Sequence, residues 1–336
     1  MKKLLALLLS LCLVAGLAAC GGGTTDQPAD DGGDSAATGV TVRLGGLKGP
    51  TSMGMVKLLA DNEAGTTANT YEFTMSGSAD ELTPKILQGD LDILAVPANL
   101  GAILAANSDG GVQLLAVNTL GVLYLTEKGG ETVTDWETLK GQTIYATGKG
   151  STPEYALDYL LTQNGLDPET DVTVEWKSES SEIVAAMAGA DHAVAMLPQP
   201  FVTVAQTKFD DLRIAMDLTA EWDALDNGSQ LCTAGLIVRT AFAEEHPEAV
   251  AAFLAEYADS TAWVNANVSE AAQLVGQYDI VDAAVAEKAI PYCNIVCLTG
   301  DEMKAAVSGY LTVLYDQNPK AVGGALPGDA FYYGAQ

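Results

Sequence analysis

The strongest constraint on the fold of this chain is an alternation of short β-like runs with amphipathic helical stretches, stated twice on one plan. Residues 40–44, 71–75 and 91–96 read as strands, separated by helical patterns over 51–61 and 78–88. A second series follows residue 127. It has strands at 142–146, 172–176 and 192–197, and helices at 151–163 and 179–188. Strands spaced by helices in this rhythm predict βαβ units and a largely parallel sheet. The halves also echo each other in detail. Leu47-Lys-Gly-Pro-Thr-Ser-Met-Gly54 in the first answers Gly148-Lys-Gly-Ser-Thr-Pro-Glu-Tyr155 in the second. Likewise LQGDLDILAVPAN answers MAGADHAVAMLPQP. Ser78–Glu81 and Thr134–Glu137 each match the pattern of a capping box.

Nearly 300 residues beyond position 40 exceed one comfortable core, so the expectation is two α/β lobes with a cleft between them. The expected boundaries are 40–122 plus 233–336 for the first lobe and 123–232 for the second, with two crossovers. The tail breaks the rhythm: a strand at 236–239, helices over 241–257, 260–278, 282–290 and 299–315, and an extended piece at 294–298. These are expected to pack back on the first lobe. In open parallel sheets ligands collect at the carboxyl ends of the strands, where the Gly- and Pro-containing loops lie.

The first residues carry an address. Lys2 and Lys3 precede an apolar run too short to span a bilayer as a mature helix, the pattern of a secretory signal over residues 1–19. Leu17-Ala-Ala-Cys20 resembles the lipobox of bacterial lipoproteins, which implies lipid on Cys20 and an extracytoplasmic, membrane-anchored protein. Residues 20–39 are mostly Gly, Asp, Ser and Thr with no large apolar side chain, the composition of a flexible tether.

Charge excludes a partner class. The formal net charge is −28, and loss of the two leader lysines takes it to −30. Phosphate backbones need clustered Lys and Arg, and the only arginines are Arg43, Arg213 and Arg239, so nucleic acid is not expected. Cys232, Cys293 and Cys297 allow either one disulfide with a free thiol or buried apolar thiols. They lack the histidine neighbours of a zinc site. His192 and His246 belong to no nucleophile or metal motif, and no P-loop, G-x-S-x-G or H-E-x-x-H is present. Neither enzymatic activity nor a cofactor or metal is expected.

The stretch from Thr134 to Pro200 then resembles a known family. The resembling elements are DWETLKGQTI, GSTPEY, NGLDPETDV, GADHAV and PQP, with EHPEAV opening the C-terminal helices. They are similar to the solute-binding proteins of nitrate, taurine, aliphatic-sulfonate and thiamine-precursor importers. That resemblance implies an α/β, two-lobed type II periplasmic-binding fold. It also implies a monomer that hands a small molecule to ABC permease subunits. A sensory or adhesive lipoprotein on the same scaffold is the alternative. Gly189-Ala-Asp-His192 departs from the family's simpler loop, and Pro97-Ala-Asn99 is diagnostic of no one substrate.

The candidate ligand-binding residues come from the duplicated loops. Lys48, Thr51 and Ser52 in the first half, with Ser151 and Thr152 in the second (beside Lys149), put hydroxyls and a lysine where helix N–H groups point outward. That pattern suits an anionic or strongly accepting group. Helix capping is the competing role for these hydroxyls. Ser76 and Ser78 end the second strand, Pro97 and Asn99 the third, and Gln199 sits at the equivalent place in the second half. Asn118 and Thr119 lie near the first crossover. Trp222, Tyr124 and Tyr155 are candidate stacking surfaces, with ordinary core packing as the competing role. Scarce arginine argues against a bidentate clamp on a sulfonate or phosphate.

Overall fold

Arginine sorts the fold into its two halves, because each half is clamped by one buried carboxylate. The computed structural model describes residues 39–336. The signal segment, Cys20 and the tether up to residue 38 lie outside the described residues. In chain order the first half supplies β1 (Thr41–Leu47), α1 (Pro50–Met53), α2 (Val56–Glu63), β2 (Thr70–Ser76), α3 (Thr83–Gln88), β3 (Ile93–Pro97), α4 (Ala98–Asn107) and β4 (Val112–Thr119). The second supplies β5 (Leu123–Lys128), β6 (Thr143–Thr147), α5 (Thr152–Gln163), β7 (Thr173–Lys177), α6 (Ser180–Ala188), β8 (Ala193–Pro198), α7 (Phe201–Lys208), β9 (Leu212–Asp217) and α8 (Leu218–Ala224). The tail adds β10 (Ala234–Arg239), α9 (Thr240–Glu245), α10 (Pro247–Ala266), α11 (Val268–Gln277), α12 (Ala283–Ala289), β11 (Ile295–Leu298) and α13 (Gly300–Gln317).

These strands form two sheets, ordered β11-β4-β10-β3-β1-β2 and β7-β6-β8-β5-β9. β1, β2 and β3 run parallel, as do β6, β7 and β8. β10 and β5 run against their neighbours, so the directions of β4 and β9 rejoin the parallel set. The chain passes between sheets twice, from β4 to β5 and from β9 and α8 to β10. β1 alternates as a half-buried strand should, with Val42 and Leu44 fully buried and Thr41 exposed.

Asp92, 1% exposed, accepts from the Arg43 amide (3.0 Å), Arg43 Nε (2.8 Å), Arg43 Nη2 (2.6 Å) and Arg239 Nη2 (2.9 Å). It thereby ties β1, the start of β3 and β10. Glu127, fully buried, accepts from the Thr132 amide and hydroxyl (2.8 and 2.6 Å) and the Val133 amide (3.2 Å). It also pairs with His192 Nε2 at 2.9 Å and with Arg213 Nη2. That ties β5, β8 and β9. All three arginines are thus held by two structural carboxylates.

The tail departs from its expected helix boundaries. The long helix runs on through Ser260 to Ala266 and breaks at Asn267, not near residue 258. Ser260 and Thr261 are buried, and Ser260 donates to the Gly54 carbonyl at 2.7 Å while accepting from the Leu58 amide. A tertiary contact therefore overrides the local break signal. Pro247 instead restarts the helix after His246. α10 and α11 pack on α2 of the first lobe, whereas α13 packs on both β4 and α5. Through α13 the two lobes share one core, in which Tyr310 packs tilted at 50° against Trp222, ring centroids 5.6 Å apart, and Leu114, Leu160 and Leu311 are fully buried. Cys232, Cys293 and Cys297 are all free thiols, and burial pushes Cys232 and Cys293 up to about 12. Among the described residues no helix is long and apolar enough to cross a membrane.

Candidate functional site

β1, β2, β3 and β4 of one sheet and β6, β7 and β8 of the other point their carboxyl ends at one cleft of about 510 Å³ between the two sheets. Leu47 and Lys48 close β1, Gly77 and Ser78 follow β2, Pro97 ends β3, and Thr119 ends β4. From the other side come Thr147 of β6, Trp176 and Lys177 of β7, and Pro198 of β8. The two arginine clamps sit at the opposite ends of the strands, so no guanidinium reaches the cleft. Its charged lining is Lys48, Lys149 and Lys177 against Asp80 and Glu179. In a chain at −28 the lining carries a small excess of lysine, with Lys48 paired to Asp279 and Lys177 to Glu175.

The base of the cleft is formed where the crossovers meet. The Thr233 amide donates to the Thr119 carbonyl at 3.1 Å, and both residues belong to the cleft lining. Neither hydroxyl has a hydrogen-bond partner among the described residues. A buried polar atom left without a partner costs about 1–3 kcal/mol, and Asn118 Oδ1, next to Thr119 in the chain, is likewise unpartnered. Trp176 is the aromatic side chain of the lining.

Of the residues expected from sequence, the structure brings Lys48, Thr51, Ser78, Pro97 and Ser151 to the cleft, with Lys149. Thr51 lies inside α1 and Ser151 holds the N-cap position of α5, but neither hydroxyl makes a capping hydrogen bond. Each turns its hydroxyl onto a carbonyl, Leu47 at 3.0 Å and Gly148 at 2.7 Å. Lys48 reaches toward Asp279, 3.6 Å away and exposed. Ser52, Ser76, Asn99, Asn118, Thr152, Gln199 and Trp222 are not among the residues lining it. Ser52 is fully buried on the Leu47 carbonyl at 2.6 Å, and Ser76 donates to Glu81 at 2.5 Å. Asn118 donates to the Thr51 carbonyl at 3.3 Å. Thr152 donates to Asn99 at 3.2 Å across the lobe boundary, and Asn99 donates to the Ala321 carbonyl at 3.0 Å. Trp222 is fully buried, its Nε1 donating to Ser229 at 3.1 Å. These side chains are occupied by partners inside the protein, and the Thr152–Asn99 bond among them joins the two lobes. Gln199 and Tyr124 line a different crevice, and Tyr155 packs against the shared core.

Sequence reasoning missed Thr233, Trp176, Lys177, Glu179 and Ser180. The signal for the last four was present: Trp176-Lys-Ser-Glu-Ser180 runs off the end of a strand, as Ser76-Gly-Ser78 does in the first half. Thr233 had none, since it lies between the second crossover and β10 in an apolar run.

With this geometry in view, the relatives fall into place. The sequence model of the NMT1-like family matches residues 52–277. The chain belongs to the NMT1-like family. Solved structures agree on the fold. An ABC transporter protein from Parabacteroides distasonis superposes with a TM-score of 0.72 at 23% identity, over 87% of this chain and 98% of that one. The alkanesulfonate-binding protein SsuA from Xanthomonas axonopodis pv. citri, bound to MOPS, gives 0.69 at 15% identity, covering 90% and 99%. The aliphatic sulphonate-binding SsuA from Escherichia coli gives 0.69 at 15%, covering 88% and 96%. No curated protein matches the chain in sequence. The fold of this NMT1-like chain is therefore the two-lobed type II periplasmic-binding fold.

Proposed function

We propose that this protein is the extracytoplasmic solute-binding component of an ABC importer, lipid-anchored through Cys20 and monomeric, that captures a small organic molecule in the interlobe cleft. The adjacent unpartnered hydroxyls of Thr119 and Thr233, buried at the cleft base where the lobes join, carry this reading. Lys48, Lys149 and Lys177 with the face of Trp176 favour a ligand with an anionic group on a planar or apolar body, such as a sulfonate or a heterocyclic vitamin precursor. Since no arginine faces the cleft, hydroxyls, lysines and backbone would hold the anion. Contacts from both lobes would select the closed population and present it to a permease.

A thermal-shift screen of the chain lacking residues 1–20 tests the reading against sulfonates, nitrate, bicarbonate and thiamine precursors. A ligand at about a hundred times its dissociation constant adds roughly 2.7 kcal/mol, a shift of several degrees. A flat response from a cooperatively melting protein would count against solute capture. Stimulation of a reconstituted ABC permease's ATP hydrolysis by the liganded protein would separate delivery from sensing.

A further inference from the structure

A second crevice between the lobes carries its own chemistry. It encloses about 530 Å³, within the range that takes small molecules. One wall belongs to the second lobe and presents Tyr124, Gln199, Ile214 and Asp217. The facing wall comes from α12 and the turn after it, with Lys288 and Tyr292. α12 packs on α7, which fixes the two walls against each other.

Three observations at this place are independent of one another. First, Gln199 is 3% exposed and spends only its carbonyl oxygen, which accepts from the Thr203 hydroxyl at 2.9 Å. Its NH2 group has no partner among the described residues although the side chain lines the crevice. Second, the described residues include four exposed large hydrophobic side chains, and two of them line this crevice, one on each wall: Ile214 at 40% and Tyr292 at 59%. Third, the crevice holds one carboxylate and one ammonium, Asp217 and Lys288, and neither forms an ion pair among the described residues. Asp217 uses Oδ1 to cap α8, accepting from the Thr219 amide at 2.9 Å, and leaves Oδ2 free. Burial first, then the charge of Asp217, pushes the Tyr124 hydroxyl up to about 12, which keeps it an O–H donor at neutral pH.

We propose that this crevice is a second binding site, distinct from the main cleft, for a free α-amino acid with an apolar side chain. The substrate ammonium would face Asp217, its carboxylate the Gln199 amide and Lys288, and its side chain the apolar pair Ile214 and Tyr292. The same lining suits a zwitterion better than a simple anion, because it offers one group of each sign. It does so without depending on which solute the main cleft takes.

The test is calorimetric titration of the soluble chain with L-phenylalanine, L-leucine and phenethylamine, repeated on three variants. Tyr292→Ala alters an exposed side chain, and Asp217→Asn keeps a helix-capping oxygen, so both should fold. Each should weaken L-phenylalanine at least tenfold, while a Thr119→Val/Thr233→Val variant should bind it unchanged. Phenethylamine, lacking the carboxylate, should bind at least tenfold more weakly than L-phenylalanine to the native protein. Failure of every amino acid to bind at millimolar concentration would overturn the proposal. So would loss of binding in the double threonine variant with Tyr292→Ala unaffected, which would assign the amino acid to the main cleft. Equal affinity for phenethylamine would overturn the zwitterion assignment.

Discussion

Single carboxylates in this protein illustrate two opposite uses of burial. Burial alone would raise Glu127, but donors from Thr132, His192 and Val133 hold it down at about 2, against an ordinary 4.5. A carboxylate with a depressed folded pKa contributes stability above the unfolded value, lost as pH falls through about 4.5 toward 2. Glu127→Gln should therefore lower stability by roughly 3 kcal/mol at pH 7, since it leaves Arg213 beside an uncharged partner. Urea unfolding checks this, and the difference from the native protein should shrink toward pH 2. Asp158 is the reverse. Burial, then repulsion from Glu154 and Glu169, raises it to about 6. Ionised Asp158 opposes folding, and the penalty grows as pH rises from about 3.8 through 6. Asp158→Asn should raise the melting temperature at pH 7.5, and the gain should vanish below pH 3.8. A gain that is constant with pH would contradict the assignment.

At the level of elements, the β/α rhythm was legible wherever a strand alternated or a Gly-rich turn preceded a helix. β1, β2, β3, β6, β7 and β8 all fall within a few residues of the runs read from sequence. The crossover strands β4 and β5 were not legible. Val112–Thr119 is buried on both faces, so it shows no alternation to separate it from a buried helix. Loop positions were read more reliably than side-chain directions. The duplicated turns do reach the cleft, yet within each turn one hydroxyl lines it and its neighbour does not: Thr51 but not Ser52, Ser151 but not Thr152. Direction depends on the turn's backbone path, which composition does not encode. Trp222 shows the same limit, because the pairing of α8 with α5 and α13 decides that it is core. Trp222→Ala should cost about 3–5 kcal/mol of stability by opening a cavity between the lobes. Ligand affinity of the fraction that remains folded should change little by comparison, measured by titration below the melting transition.

Across the whole molecule, the division of labour follows the strand direction. Amino ends carry the arginine clamps, carboxyl ends carry lysines, hydroxyls and Trp176, and α13 locks the two lobes into one core on the far side. On the proposed reading, the three lysines of the cleft would draw an anion inward within an otherwise acidic chain. The central claim is that the cleft base awaits a ligand group. Calorimetric titration of the best ligand from the thermal-shift panel into the native protein and the Thr119→Val/Thr233→Val variant tests it most directly. The account predicts affinity weakened about 10- to 100-fold, with a ligand-free melting temperature that is unchanged or higher, because two unpartnered hydroxyls are removed from a buried place. An unchanged dissociation constant would contradict it and move the ligand away from the crossover threonines.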